Sequence, residues 1–262
     1  ERNMFEIWIM RPYTRKLFRI LLLIPAALCV SCSGSPETGP LSLPPPGPAP
    51  SGFTAGFARV DISPEHPVKM AGYGTFFLDE DLCRWSTGVH DPLYASAAAF
   101  QEGDGSPVIL IQLDVIGALT TDVVRIQAGT ASALGIPEEN VIVAATHSHG
   151  SPDTVGIWGL IVPPVTGRDD AFIEAMIQGA VEAGVRAWEA RVPASLRAAS
   201  GEEARMHFNP QLPVDPAAVT DDAMTLLAAY DVRGTLLGTL MSWGCHPMVM
   251  GPQNTRISSD YP

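Results

Sequence analysis

Basic residues are scarce in this sequence, and many of those present lie near its start. The 262 residues include 16 lysines and arginines against 28 aspartates and glutamates, which gives a formal net charge of −12. Residues 1–31 hold five basic and two acidic side chains, so the rest of the chain carries −15. A body without a basic stripe cannot neutralise a run of phosphates, which excludes a nucleic-acid partner. A polybasic membrane-binding patch is excluded on the same ground.

Apolar runs long enough to cross a membrane are also missing. The run from Ile20 to Val30 is interrupted by Pro25 and is shorter than the roughly 20 residues that a transmembrane helix needs. Lys16 and Arg19 precede this run, and basic residues followed by a short apolar run are typical of a secretory signal. The chain is 46% hydrophobic and only 17% charged, which is too apolar for a disordered protein. We therefore expect an exported protein with a compact globular body.

The apolar run ends in a sequence that resembles a bacterial lipobox. Cys29, Val30 and the small residue Ser31 directly precede Cys32. We expect residues 10–31 to be a signal peptide of the lipoprotein type, Cys32 to be lipidated, and residues 1–9 to be an extension upstream of the true start. Such a protein is anchored through its lipid to a membrane of the bacterial cell envelope, facing the periplasm or the cell surface. An ordinary cleaved signal peptide is the alternative.

Proline dominates the stretch that follows, residues 32–51. Six prolines fall between Pro40 and Pro50, and the stretch has no apolar period. Such a composition favours extended polyproline II and predicts a tether between the membrane and the body at residues 52–262. Of the chain's four cysteines, Cys83 and Cys245 remain in that body. An exported protein can pair two such cysteines, but the sequence does not show whether they approach each other.

Strand and helix patterns alternate along the body. Short β-rich or apolar runs bounded by turn residues predict strands, and a 3.6-residue apolar period predicts helices. The predicted strands are 56–62, 93–100, 107–114, 140–145, 223–231 and 236–243, and the predicted helices are 121–134 and 170–189. We expect Thr120 or Thr121 to cap the first helix and Asp169 or Asp170 the second. Residues 107–114 are almost wholly apolar, which predicts a strand covered on both faces. The order predicts an α/β domain in which layered mixed sheets are flanked by helices.

Three histidines follow two of the predicted strands. His147 and His149 come directly after the strand at 140–145, and an extended backbone at this spacing would place both imidazoles on one side. His246 follows the strand at 236–243. Strand ends are where α/β folds bind ligands, and three imidazoles suit a metal, with zinc the best match. For His147 and His149, two hydrogen-bonding histidines in a loop are the alternative interpretation.

Three weaker candidates accompany the histidines. His90 and Asp91 form a neighbouring pair in a predicted loop, and Asp114 ends the most apolar strand. A carboxylate at such a position either orients a histidine or caps the next turn. Residues 258–260, Ser-Ser-Asp, are the third candidate. Ser151 lies close to His149, but no Gly-x-Ser-x-Gly elbow surrounds it, so a serine-hydrolase triad is poorly supported.

The ordered set of motifs resembles the N-terminal region of neutral, non-lysosomal ceramidases and their bacterial relatives. The resemblance rests on AGFARVDISP at 55–64, MAGYG at 70–74, TGVHDPLYA at 87–95, AATHSH at 144–149, GCHP at 244–247 and ISSDYP at 257–262. It implies a zinc-dependent amidohydrolase that cleaves an N-acyl bond, such as that of ceramide, to a fatty acid and a sphingoid base. It further implies that His147 and His246 bind zinc and that His149 faces the substrate. We add Asp114 and His90 as candidate catalytic residues.

The chain also departs from the family pattern. Gly150-Ser151-Pro152 stands where the family has Ser-Gly-Pro, and Asn209 is followed by Pro210 where an arginine is common. The family completes its zinc site with a glutamate and a tyrosine further along, so we expect residues 52–262 to be the front part of a catalytic domain. Two other functions stay open. One is a non-catalytic envelope lipoprotein that binds a lipid, glycan or protein, and the other is a zinc esterase or lactonase.

Overall fold

Seven strands form one mixed sheet in the part of the chain that the computed structural model describes, which is residues 52–206, 214–215, 217 and 219–262. The strands are β1 Phe53–Asp61, β2 Tyr94–Glu102, β3 Val108–Leu113, β4 Val141–Ala145, β5 Val192–Glu202, β6 Ala223–Asp231 and β7 Leu236–Trp243. The helices are α1 Thr120–Leu134 and α2 Asp170–Glu189. The predicted signal peptide, Cys32, the tether and Asn209 lie outside the described residues.

The order of the strands is β4-β3-β2-β1-β5-β6-β7. Only β3 and β4 are paired in parallel, and the other neighbours are antiparallel. The helix α1 connects β3 to β4, as a parallel pair requires. The predicted α/β class is confirmed. Among the described residues, no helix is long and apolar enough to cross a membrane.

Strand β5 is an element that the sequence patterns did not predict. Its residues are mostly alanine, serine and other small or polar types, which do not form an apolar alternation. The strand is nevertheless paired along its length with β6, from Ala194 opposite Asp231 to Glu202 opposite Ala223. Its conformation is therefore set by its neighbour more than by its own side chains.

Both helices lie where the apolar period predicts them, but only one has the predicted cap. The Asp169 carboxylate accepts a hydrogen bond from the N–H of Phe172 at 2.8 Å and so caps α2. The expected cap of α1 is wrong, because Leu119 occupies the N-cap position and Thr120 already lies inside the helix. Gly135 ends α1 in the left-handed conformation, at φ 66°.

The main core lies between one face of the sheet and the two helices. In β3, Ile109, Ile111 and Leu113 are buried in this core, whereas Gln112 on the opposite face is exposed. The prediction that this strand is covered on both faces is therefore wrong. A second, smaller core joins alanines of β1, β5 and β6 to Phe57 and Phe100 on the other side. Strand β4 lies at the edge of the sheet, next to β3.

Candidate metal centre

Three histidine side chains meet although they come from loops that follow opposite edge strands of the sheet. One ring nitrogen of each of His147, His149 and His246 lies within 4.8 Å of the others. The rings of His147 and His246 stack at 5.0 Å between centroids, and His149 meets both edge to face, at 5.2 Å and 4.5 Å. The Nε2 atoms of His149 and His246 are 2.7 Å apart, a distance at which one imidazole donates to the other. The predicted convergence is thus present.

His147 reaches the cluster through a bend in the backbone. Its φ is +69°, in the left-handed region, so the extended backbone predicted for the pair with His149 is wrong at this residue. Its N–H donates to the Val115 carbonyl at 3.0 Å, and its Nδ1–H donates to the Ile116 carbonyl at 2.7 Å. A carbonyl can only accept, so the proton is on Nδ1 and the Nε2 lone pair is free. This arrangement orients metal-binding histidines in many proteins.

His149 is the most enclosed of the three. Its residue is 9% exposed, and a Cβ atom added to Gly72 would lie 2.6 Å from its Cβ and Cγ. The edge of the Tyr73 ring packs against it at 5.1 Å. Its Nδ1 atom is buried and has no hydrogen-bond partner in the described part of the chain. The imidazole is therefore held by packing, and only Nε2 faces the other histidines.

Burial and neighbouring positive charge both disfavour protonation of His149 and His246. Burial, followed by the charges of His246, His147 and Arg84, lowers the pKa of His149 to about 4. Burial and then His147 also lower the pKa of His246. Neutral imidazoles are the form that binds metals, so these two residues need no deprotonation at pH 7. Imidazole nitrogens of this kind, gathered beside that of His147, suit a zinc ion.

The Arg84 guanidinium joins the segments around the cluster, a role that no motif in the sequence indicates. Its Nη2 donates to the carbonyl oxygens of His149, at 2.6 Å, and of Ala71. Its Nη1 donates to the Asn254 carbonyl at 3.0 Å. The guanidinium carbon lies 4.9 Å from the centre of the Tyr73 ring. These contacts bind the loop of His149 to the segments before and after it.

Asp114 has its own partner away from the histidines. Its Oδ2 accepts a hydrogen bond from the N–H of Tyr94 at 2.9 Å, at the start of β2. Burial raises the pKa of its carboxyl to about 6, and the Tyr94 N–H lowers it in part. This contact joins the carboxylate to the start of β2 and matches neither of the two roles expected for it. Its catalytic role stays a prediction.

His90 pairs with Asp91, as its position in the sequence suggested. The His90 Nδ1 and Asp91 Oδ2 atoms are 2.7 Å apart, and the Ser258 hydroxyl donates to the same oxygen at 2.7 Å. The hydrogen bonds from Ser258 and then from His90 lower the pKa of Asp91. The carboxylate lies between the serine and the histidine, so this group lacks the order of a serine-hydrolase triad. The catalytic role of His90 stays a prediction.

The contacts around Gly150 and Ser151, which depart from the family pattern, explain why these residue types stand there. A Cβ atom on Gly150 would lie 2.5 Å from the Ser258 carbonyl oxygen, so a side chain does not fit there. The buried Ser151 hydroxyl donates to the Ser148 carbonyl and accepts from the N–H of Ile116, both at 2.9 Å. The Ser151 hydroxyl thus both donates and accepts a hydrogen bond within the protein.

Neither cysteine of the described body takes part in a disulfide. Cys83 is buried and Cys245 is half-buried, and both are free thiols. Cys245 lies just beyond β7, which ends at Trp243.

The fold and the cluster define a layered α/β domain with a three-histidine candidate metal centre beside the sheet. Residues 53–261 match the family described as "Neutral/alkaline non-lysosomal ceramidase, N-terminal". Because this match covers most of the chain, the chain belongs to that family.

Individual relatives are similar over most of this chain. The neutral ceramidase of Pseudomonas aeruginosa is 26% identical over 220 residues, which is 79% of this chain and 32% of the relative. The neutral ceramidase of Drosophila melanogaster is 22% identical over 223 residues, covering 79% of this chain and 30% of the relative. The crystal structure of the Pseudomonas aeruginosa enzyme superimposes with a TM-score of 0.64 at 22% identity, over 79% of this chain and 34% of that one. The chain thus spans about a third of the length of these relatives.

Proposed function

We propose that this chain forms part of a zinc-dependent hydrolase that cleaves the N-acyl amide bond of a ceramide-like lipid to a fatty acid and a sphingoid base. The observation that carries this proposal is the meeting of His147, His149 and His246 in a member of the ceramidase family. Two of these histidines occupy the positions that the family resemblance assigns to zinc. The relatives named as neutral ceramidases support the choice of substrate.

The three histidines are suited to different tasks. His147 and His246 would hold zinc, and His147 is already oriented by its hydrogen bond to the Ile116 carbonyl. When bound, zinc polarises an acyl carbonyl and lowers the pKa of a water molecule to about 7. His149, which is neutral at pH 7, would face the substrate. Its Nε2 atom would form a hydrogen bond to the substrate oxygen on which negative charge develops. The Arg84 guanidinium would keep the His149 backbone in place during this exchange.

The experiment that tests this function compares zinc content and hydrolysis in the wild-type protein with His147→Ala and His246→Ala. A ceramide and an ester of the same acyl chain serve as substrates, so that an amidase and an esterase are distinguished. The matched control is His66→Ala, because His66 is exposed and pairs with Asp169 at 3.0 Å. We expect both cluster variants to lose bound zinc and hydrolytic activity, whereas the control variant keeps both. Wild-type zinc content and rate in the two cluster variants would refute the assignment.

We also propose that the protein is exported and anchored through lipidated Cys32, which would bring the site close to a lipid substrate. Support comes from the basic residues, short apolar run and small Ser31 that precede this cysteine. Metabolic labelling with a radioactive fatty acid tests it, with Cys29→Ser as the control for Cys32→Ser. We expect only Cys32→Ser to lose the label. A label that persists in Cys32→Ser would exclude this anchor.

A further inference from the structure

The segment from Ser258 to Asp260 lies between the two loops that carry the histidines. On one side, the Ser148 hydroxyl donates to the Ser258 carbonyl at 2.9 Å, and the Ser258 N–H donates to the Gly150 carbonyl at 3.0 Å. On the other side, the Asp260 carboxylate accepts hydrogen bonds from residues that follow His246. One short segment thus contacts both halves of the cluster.

The Asp260 carboxylate binds the turn that follows His246. Its Oδ1 accepts from the N–H of Val249 at 3.2 Å, and its Oδ2 accepts from the N–H of Met250 at 3.0 Å. The Pro247 carbonyl at the start of this turn accepts the N–H of His149 at 3.0 Å. The position of the turn therefore determines how His246 and His149 face each other.

The backbone of Asp260 is itself held in an unusual conformation. Its φ is +68°, in the left-handed region that few non-glycine residues adopt, although aspartate and asparagine tolerate it better than most. Its N–H donates to the Ser258 hydroxyl at 3.0 Å, and that hydroxyl donates in turn to Asp91. Conformations of this kind persist where surrounding contacts fix them, often near functional sites.

We propose that Asp260 is a positioning residue for the metal centre. Its carboxylate fixes the turn after His246 and, together with the contacts of Ser258, sets the distance between His246 and the pair of His147 and His149. This inference rests on the proposed metal site but assigns a role to a carboxylate that lies beside the ligands and binds backbone N–H groups. Loss of these hydrogen bonds would leave the three imidazoles present but no longer aligned.

Asp231 offers a matched control for this role. Its Oδ1 accepts from the N–H groups of Arg233 and Thr235, both at 2.8 Å, in the turn between β6 and β7. It is thus another carboxylate that holds a turn, but at the end of β7 opposite the one that leads to His246. If Asp260 only stabilises a local turn, changes at the two positions should have equal effects on the histidines.

The experiment measures Co²⁺ binding to the full chain by the visible absorption of the bound ion, alongside thermal unfolding without metal. Asp260→Gly keeps the left-handed backbone accessible but removes both acceptors, and we expect Co²⁺ affinity to fall about tenfold or more. Asp260→Asn keeps one acceptor oxygen, and we expect a smaller loss, about threefold. Asp231→Gly and Asp231→Asn should bind Co²⁺ as the wild type does.

Each outcome either supports or overturns the proposed role of Asp260. Wild-type affinity in both Asp260 variants would overturn it, as would an equal loss in the Asp231 variants. If Asp260→Gly does not fold, Asp260→Asn decides alone. A wild-type chain that gives no Co²⁺ spectrum would overturn the metal centre and this role together. Co²⁺ binding that depends on Asp260 in a protein that does not hydrolyse ceramide would refute the proposed function but support this inference.

Discussion

Asp114 allows a quantitative test, because its buried carboxyl should make folding depend on pH in a known direction. Burial raises its pKa from 3.8 to about 6, and the hydrogen bond from Tyr94 offsets only part of that rise. Folding therefore favours the protonated acid. The stability that this preference contributes is complete below pH 3.8 and is lost as the pH rises through about 6. Since one pKa unit corresponds to about 1.4 kcal/mol, ionisation costs the folded state about 3 kcal/mol at pH 8.

The informative change is Asp114→Asn. An amide has the shape of the protonated acid and keeps an oxygen that can accept the N–H of Tyr94. We expect the variant to match the wild type at pH 4 and to be more stable by about 2–3 kcal/mol at pH 8. For a domain of this size, that difference raises the melting temperature by about 5–10 °C.

The assay is thermal and urea unfolding of both proteins between pH 4 and pH 8. Asp231→Asn is the control, because hydrogen bonds from Thr235 and Arg233 lower the pKa of that carboxyl and its replacement should give no gain at pH 8. Equal stability of Asp114→Asn and wild type at pH 8, or an equally large gain at pH 4, would refute the reasoning. Hydrolysis by the same variant separates the roles, because a stabilised protein that has lost activity would indicate that Asp114 takes part in the reaction.

Three further predictions concern the surroundings of the histidines. Gly72→Ala should push His149 aside and weaken Co²⁺ binding by about tenfold, whereas Gly88→Ala, which shares a positive φ but meets nothing within 4 Å, should leave binding unchanged. Arg84→Met should lower the free energy of unfolding by about 3 kcal/mol in urea titrations, because the carbonyl oxygens that Arg84 contacts lose their hydrogen-bond donor. Arg186→Met, at an exposed ion pair, should change it by less than about 0.5 kcal/mol. Zinc at 100 times its dissociation constant should stabilise the fold by about 2.7 kcal/mol, and a chelator should reverse the shift in melting temperature.

The elements that sequence patterns predicted well are those whose own side chains determine their environment. The α2 helix has a regular apolar face and a capping aspartate, and β6 and β7 flank a turn marked by Gly234. The patterns failed where a neighbouring element determines the conformation or the burial of a segment. The small residues of β5 become a strand through pairing with β6. One face of β3 is only partly covered, with Gln112 exposed, because the helices pack on the other face.

The same distinction applies to the candidate site. The spacing of His147 and His149, together with His246 after another strand, was enough to predict that the histidines meet. Their geometry was not predictable, because the left-handed backbone at His147 depends on carbonyls of the segment that follows β3. The contacts of Arg84 and Asp260 join residues far apart in the chain, and a single sequence holds no record of such pairs.

The two histidines of the His147–His149 pair are held in different ways, and this difference supports giving them different roles. A metal ligand benefits from a fixed tautomer and ring orientation, and the bond from His147 Nδ1 to the Ile116 carbonyl supplies both. Among the residues that the structure describes, the buried Nδ1 of His149 has no such bond, and the ring is placed by Gly72 and Tyr73 instead. A ring held by packing can exchange the partner of its Nε2 atom without breaking a second hydrogen bond. That freedom would suit a group that must contact first a substrate and then its products, and it supports the role proposed for His149.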